Sequence, residues 1–452
     1  MGALQVELRA YKRKMRYTMQ ITVIGAGYVG LVSAVCFACS GHQVICLEKD
    51  AERCKMLING QCPIFEKDLP EMLCRVLEEG KIKFTTQAQE AISSADIIFI
   101  AVGTPSGADG QADLSELFVA ISEIGKFLQN DTLVVIKSTV PPGTTDAVQS
   151  RLLKTMNGVD HINVIFNPEF LREGTAVDDF LFPDRIVVGS NDSRDAEVLF
   201  SLYRPLLRKP VPEIHTSPLN AELIKYASNS YLAVRLSFIN ELAGLCEKLG
   251  GSINEITKAM GMDQRIGNSY LSAGLGYGGA CLPKDTLALV HTAKNVQTHL
   301  LVLEGAIEAN RRVAHRLAKR VADIVIPGGT IAIWGLSFKA GTEDIRNSPV
   351  LSLIKELSKY SAYRFQIYDP SGEKHMDRLP KELMPLLCHT MEESLIDADA
   401  LVVGTAWPQF SKSKPEQLLL RMHRDVIFDF ANALDRADFE RLGFEYHACG
   451  EK

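Results

Sequence analysis

The sequence has no apolar stretch approaching the roughly 20 residues that a membrane-spanning helix needs, and its N-terminus lacks the apolar core of a signal peptide. It carries little net charge, −6 over 452 residues. After the first 16 residues it has no dense basic run, so there is no electrostatic footprint for nucleic acid. An anionic ligand would need local Lys and Arg. Its ten cysteines lack a disulfide-scaffold rhythm, which suits reduced thiols and a cytoplasmic protein. Cys36 and Cys39 form a C-x-x-C, but inside an apolar run that reads as helix, with no second ligand pair nearby. The expectation there is core packing, and no metal. What is present is an ordinary globular composition, 46% hydrophobic and 23% charged, in a chain long enough for two to four domains.

Residues 1–18, with Arg9, Lys12, Arg13, Lys14 and Arg16, read as a tail. From Ile21, short β-rich runs alternate with helical stretches: ITVIG, HQVICLE, ADIIFIAVG, TLVVIKST, NVIFNPE and RIVVGS. That alternation predicts a parallel, doubly wound α/β sheet. The strands are expected to stop around Pro210 and Pro212. Residues 218–250 show apolar residues at helical spacing with no Gly or Pro between 219 and 243, which predicts one long helix. More helix is expected to about residue 323, interrupted by GLGYGGACLPKD. Strands then resume with TIAIWGL, RFQIYDP, ALVVGTAW and VIFDF. The expected organisation is a dinucleotide-binding domain at 19–212, a helical middle at 213–325 and a second Rossmann-like α/β domain at 326–452.

Directly after ITVI comes GAGYVG, with Gly25, Gly27 and Gly30 in G-x-G-x-x-G spacing, a helical run behind it, and Glu48 ending the next strand. This is the pattern of a dinucleotide cradle. Gly25 allows the tight turn, Gly27 lets backbone approach a pyrophosphate, and Gly30 permits close helix–strand packing. The helix N-terminus then faces the phosphates. Glu48 would accept hydrogen bonds from a ribose diol and repel a 2′-phosphate, so NAD is favoured over NADP. Arg53 is the nearby residue that could meet a phosphate.

A thiol is a useful nucleophile only when ionised and accessible. Cys281 follows GYGGA and precedes LPKDTLAL, a helix start with Pro283 in its first turn. A helix N-terminus beside Lys284 favours the thiolate, and Asp285 lies one turn on. Taken alone, the same residues fit an ordinary packed cysteine. Lys225 and Asn229 are four apart on the long helix and share a face, which by itself also fits a solvent-facing pair. Thr139, Glu169 and Glu173 lie in KSTVPPGTT and NPEFLREG, loops that follow strands, where open α/β sheets place ligands.

Taken in order, ITVIGAGYVG, STVPPGTT, NPEFLREGTAVDDFLFPDRIVVG, AELIKYASNSYLA, FINE, RIG, GYGGACLPKD, GLSFKAGTEDIRNSP and YDP resemble the UDP-glucose/GDP-mannose dehydrogenase family over residues 19–435. The resemblance implies an NAD-dependent four-electron oxidation of a nucleotide sugar at C6, through a thiohemiacetal and a thioester. It makes Cys281 the nucleophile, and gives Lys225, Asn229 and Asp285 the proton handling and oxyanion stabilisation. Thr139 and Glu169 match residues that hold a water near the reacting carbon. Tyr28, Val29, Arg53, Thr104, Thr139, Glu173 and Arg346 fall with the cofactor. Phe170, Leu171, Tyr270, Gly278 and Lys339 fall with the sugar nucleotide, and Arg265 matches an arginine that reaches a neighbouring subunit's site. At least a homodimer is expected, built on the helical middle. PDRIVVG and GYGGACLPKD look more like the UDP-glucose members, with GDP-mannose or another UDP-sugar as alternatives. A two-electron hydroxy-acid dehydrogenase and a catalytically silent NAD-binding protein share the fingerprint, but neither has a use for Cys281.

Overall fold

A computed structural model describes residues 18–451 apart from 108, 130–131, 156–161, 373–378 and 380. The tail expected at 1–18 therefore lies, except for Thr18, outside the described residues. The chain forms two compact units that part between Ala227 and Ser228, inside the long helix.

The first unit is an eight-stranded sheet. Its strands are β1 (Gln20–Ile24), β2 (Gln43–Leu47), β3 (Ile82–Thr85), β4 (Ile97–Ile100), β5 (Leu133–Ile136), β6 (Asn163–Phe166), β7 (Ile186–Gly189) and β8 (Glu213–Thr216). They lie in the order β3-β2-β1-β4-β5-β6-β7-β8. The first six are parallel in the dinucleotide-binding order 3-2-1-4-5-6. β7 meets β6 antiparallel and β8 follows β7.

The central strands IIFI and LVVI are buried along their whole length, because helices cover both faces and leave no polar side to the pleat. Val23, Phe99 and Val135 pack on one face with Phe37 of helix Tyr28–Cys39. Ile24, Ile98, Ile100, Val134 and Ile136 pack on the other with Leu117 and Ile121. Cys36 and Cys39 do lie in that first helix, with Cys36 fully buried.

The expectation that strands stop by Pro212 is corrected by β8. Its EIHT is an edge strand whose residues are mostly exposed, so it carries no apolar run to read.

The long helix spans Pro218–Leu249, as its spacing predicts. In the second unit, helices Leu282–Asn295 and Leu301–Ala322 precede an all-parallel sheet of β9 (Thr330–Trp334), β10 (Arg364–Tyr368), β11 (Ala400–Val403), β12 (Val426–Asp429) and β13 (Glu445–Ala448). Its order is β10-β9-β11-β12-β13, the 2-1-3-4-5 doubly wound pattern. Ile331, Ile333, Val402 and Phe428 join its core to Leu353 of helix Pro349–Leu357 and Leu317 of helix Leu301–Ala322.

Candidate active site

In the first unit the glycines of GAGYVG form a tight turn. Gly25 has φ +97°, and a Cβ there would stand 2.6 Å from the Ala101 carbonyl oxygen. A Cβ on Gly30 would stand 1.9 Å from the Gly25 carbonyl oxygen, whereas one on Gly27 would meet nothing within 4 Å. The turn is therefore closed on the protein side and open where a ligand would approach. Helix Tyr28–Cys39 starts at Gly27 with no side-chain cap, which leaves its first N–H groups for an anion.

Glu48, at the end of β2, accepts from the Ala26 amide at 3.0 Å and the Asp50 amide at 2.9 Å, so the fingerprint turn and its acidic partner are in contact. Arg53 sits in the first turn of helix Ala51–Ile58, half-buried. Val29, also half-buried, packs on the core behind the turn, and the Tyr28 hydroxyl donates to the Phe65 carbonyl.

The loops after β4 and β5 meet where the Thr104 hydroxyl donates to the Thr139 carbonyl at 2.8 Å. After β6, Lys225 reaches from the long helix to donate to the Glu169 carboxylate at 2.8 Å and the Glu169 carbonyl at 2.7 Å. The pair is buried, with side chains 3% and 8% exposed. Burial pushes the Glu169 carboxyl up, but the Lys225 charge and bond, the Leu171 amide and the Lys137 charge outweigh it, so it stays below the usual range. Phe170 lies under two cations, 3.7 Å from the Arg185 guanidinium and 5.4 Å from the Lys225 ammonium. Glu173 is half-buried in the same loop.

Three residues that support this half were not singled out from the sequence. Glu66 is buried and accepts from the Gly174 and Ala176 amides at 2.8 and 2.7 Å, which pins the Glu169–Glu173 loop. Lys137 is buried and donates to Asn167 at 3.0 Å and to the Tyr203 hydroxyl at 3.1 Å. Burial and the Lys225 charge lower it to about 8, against the pull of Glu169. Glu222 accepts from Gly143 and Thr145. The one local signal was Lys137 itself, a lysine ending the apolar run LVVI.

In the second unit Cys281 is exposed and holds the N-cap position of helix Leu282–Asn295, where the helix field favours an anion. Its carbonyl accepts from the Asp285 amide at 2.8 Å. The buried Asp285 carboxylate accepts from Asn229 at 2.6 Å and Lys284 at 2.7 Å, so three of the expected residues are joined within one helical turn of the thiol.

The glycine turn before Cys281 is threaded against neighbouring backbone. A Cβ on Gly278 would stand 2.3 Å from the Asn347 carbonyl oxygen, and one on Gly279 would stand 2.8 Å from the Phe338 ring. Asn347, another residue not singled out beforehand, donates to the Gly279 carbonyl at 3.2 Å. Lys339, next to Phe338, thus belongs to a loop that backs the Cys281 turn. Tyr270 adopts φ +58°, a left-handed conformation uncommon for a bulky residue. Arg265 and Arg346 instead lie at the surface, each forked onto the acid two residues earlier, Asp263 and Asp344. The Arg265 side chain is 89% exposed.

Models of the UDP-glucose/GDP-mannose dehydrogenase family match the chain three times: the NAD binding domain at 19–207, the central domain at 219–312 and the UDP binding domain at 332–436. The UDP-glucose 6-dehydrogenase of Rhizobium meliloti is 42% identical over 439 residues, 96% of this chain and 99% of that protein. That of Rickettsia conorii is 40% identical over 437 residues, 96% of this chain and 100% of that protein. A solved UDP-glucose dehydrogenase from Pyrobaculum islandicum superposes with a TM-score of 0.84 at 33% identity, covering 97% of this chain and 99% of that one.

Proposed function

The chain belongs to the UDP-glucose/GDP-mannose dehydrogenase family, and from that premise we propose that it oxidises UDP-glucose at C6 to UDP-glucuronate, with two NAD reduced per sugar. The substrate rests on relatives named for UDP-glucose at about 40% identity over 96% of the chain. The chemistry rests on one observation: an exposed Cys281 at a helix N-terminus, with Asp285 and Asn229 bonded together one turn behind it.

The open face of Gly27, the uncapped helix and the Glu48 carboxylate suit a dinucleotide with an unmodified ribose. What NAD supplies when bound is a hydride acceptor, used once at the alcohol and once at the thiohemiacetal. Lys225 and Asp285 hold the water through which the alcohol proton leaves. The Cys281 thiolate adds to the aldehyde carbon; the C–S bond forms and the carbonyl pair moves to oxygen, where Lys225 and Asn229 stabilise it.

Oxidation of that adduct leaves a thioester on Cys281. Water held near Asp285 and Thr139 adds to the acyl carbon, the C–S bond breaks, and the sulfur departs with its electron pair. Glu169, engaged with Lys225, keeps that side chain aimed. Phe170, Leu171, Tyr270, Gly278 and Lys339 are assigned to the sugar nucleotide, and Tyr28, Val29, Arg53, Thr104, Glu173 and Arg346 to the cofactor. The domain roles follow as NAD binding at 19–212, a helical middle at 213–325 and sugar-nucleotide binding at 326–452.

Assembly follows from the long helix. Leu223, Tyr231, Phe238 and Leu245 recur at intervals of eight, seven and seven and are exposed, Tyr231 by 62% and Phe238 by 54%. Such an apolar stripe fits a second copy of the same helix, and the exposed Arg265 is assigned to the partner's sugar-nucleotide site. Ten cysteines kept as thiols support a reducing, cytoplasmic setting. No helix among the described residues is long and apolar enough to cross a membrane.

The test is a panel of UDP-glucose, UDP-galactose, UDP-N-acetylmannosamine and GDP-mannose followed by NADH fluorescence. UDP-glucose should give the highest kcat/KM, and two NADH per sugar at exhaustion. One NADH per sugar would remove the thioester route, and a better sugar would move the substrate assignment.

A further inference from the structure

We propose that Glu222 is a positioning residue for the hydrolytic half of the reaction, locking the Thr139 loop to the helix that carries Lys225. The inference rests on the roles given above to Thr139 and Lys225.

Helix Thr144–Thr155 starts from Gly143, which has φ +90° and brings no side chain to cap its amides. Glu222 supplies the cap from a distant part of the chain. One carboxylate oxygen accepts from the Gly143 amide at 2.5 Å, and the other from the Thr145 amide at 2.8 Å and the Thr145 hydroxyl at 2.6 Å. Glu222 is fully buried. Burial pushes its carboxyl up and Asp146 adds to that, while the bonds from Thr145 and Gly143 pull it down; the balance stays above the usual range.

A buried carboxylate with no ion pair among the described residues is a costly way to cap a helix, and at φ +90° position 143 cannot readily carry the Ser, Thr, Asp or Asn that would ordinarily cap it locally. Nor could a local cap join two elements. Glu222 and Lys225 are three residues apart, neighbours on one helical face, and Lys225 holds the Glu169 carbonyl and carboxylate. Just before Glu222 on the same helix, Pro218 and Ala221 crowd Gly189 at the end of β7.

The first two turns of the long helix thus gather the ends of three strands, and Glu222 is the tether to the loop after β5. At its other end that loop is held by Lys137 on Asn167 and by the Thr104 bond to the Thr139 carbonyl. Those contacts place the loop on its own sheet. The Glu222 bonds place it against Lys225.

The step served is addition of water oxygen to the acyl carbon, rupture of the C–S bond and departure of the pair on Cys281 sulfur. Glu222→Gln keeps the shape but replaces one acceptor oxygen by an NH2 group facing an N–H donor. The enzyme is mixed rapidly with saturating UDP-glucose and NAD. NADH is followed by absorbance, UDP-glucuronate by quenching, and the acyl-enzyme by intact mass. The expected result is a two-NADH burst within about twofold of the parent rate, then uronate release slowed tenfold or more, with an adduct on Cys281.

Equal slowing of burst and release, or no slowing of either, would overturn the proposal. Thr139→Ala is run in parallel. If it leaves release untouched, the role of Thr139 itself fails; if it blocks release while Glu222→Gln does not, only Glu222 fails. Should Glu222→Gln not fold, Thr145→Val removes the hydroxyl donor alone. It should slow release about threefold with an unchanged burst, and an unchanged release rate overturns the tether.

Discussion

Lys225→Met separates the electrostatic role of the buried ammonium from its volume. In the parent, Lys225 gives Glu169 two charge-assisted contacts at 2.7 and 2.8 Å, in a place where both side chains are under a tenth exposed. The variant leaves a buried carboxylate with the Leu171 amide at 2.6 Å and the more distant Lys137 charge. Breaking such a pair from one side costs about 3–5 kcal/mol, because the remaining charge is uncompensated. For a unit of this size each kcal/mol lowers the midpoint by about 2–4 °C, so the loss should be about 6–20 °C.

The pH dependence carries the sign. In the parent the Glu169 carboxyl lies below its ordinary range, so its contribution is present above the unfolded carboxylate value of about 4.3 and is lost as pH falls through the lower folded value. Without Lys225, burial dominates and the folded value rises above the unfolded one. The cost is then full at high pH and is relieved as pH falls and the carboxyl takes up a proton. Scanning calorimetry should therefore show the gap between parent and variant widest near about pH 8 and narrowing toward about pH 5. Adding Glu169→Gln should restore at least about half the loss, since no buried charge remains. A gap that is flat across this range, or a double variant less stable than the single one, would refute the argument.

Other outcomes follow from the same geometry. With Glu48 proposed for the ribose end of the cradle, kcat/KM with NAD should exceed that with NADP by at least tenfold, and equal values would overturn its assignment. Cys281→Ser should lose several powers of ten in uronate formation while UDP-glucose and NAD still bind by calorimetry, because the fingerprint and Lys339 are unaltered; near-normal uronate would remove Cys281 from the chemistry. Phe238→Lys on the exposed stripe should shift sedimentation toward monomer, and an unchanged dimer would place the interface elsewhere.

The fold was legible wherever burial left a continuous apolar run or a long helical period. IIFI, LVVI and the 218–249 helix are such cases, because a strand covered on both faces and a helix of nine turns leave little ambiguity in pattern. β3, β8 and β13 were not read. IKFT, EIHT and EYHA are four residues each and interleave polar with apolar side chains, as edge or half-covered strands do. The glycines, Glu48 and Cys281 were legible because their roles are local: a turn, a strand end and a helix start. Glu66, Lys137, Glu222 and Asn347 were not, because each acts on a partner brought near only by the fold. Glu222 and Thr145 are 77 residues apart in sequence. Nothing in the spelling AELIK distinguishes a tether from a solvated glutamate.

The two sheets also account for why one unit has the fingerprint and the other lacks it. Gly25 donates to the Leu47 carbonyl at 2.8 Å with φ +97°, and Gly335 donates to the Tyr368 carbonyl at 2.8 Å with φ +91°. The turn after β1 and the turn after β9 are thus built alike, and Glu48 and Asp369 occupy the same place beside them. A carboxylate has about four acceptor sites. Glu48 spends two on the Ala26 and Asp50 amides, which leaves capacity for a ribose diol. Asp369 takes the Leu336, Ser337 and Ser371 amides and both serine hydroxyls, and is saturated by its own protein. Where Gly27 faces open space, the buried Ser337 side chain turns inward onto Asp369. A dinucleotide would find neither an acceptor nor an open backbone at that second turn. A nucleotide there would have to be met by reaching side chains, and the residue two past Ser337 is Lys339, the lysine proposed above for the sugar nucleotide.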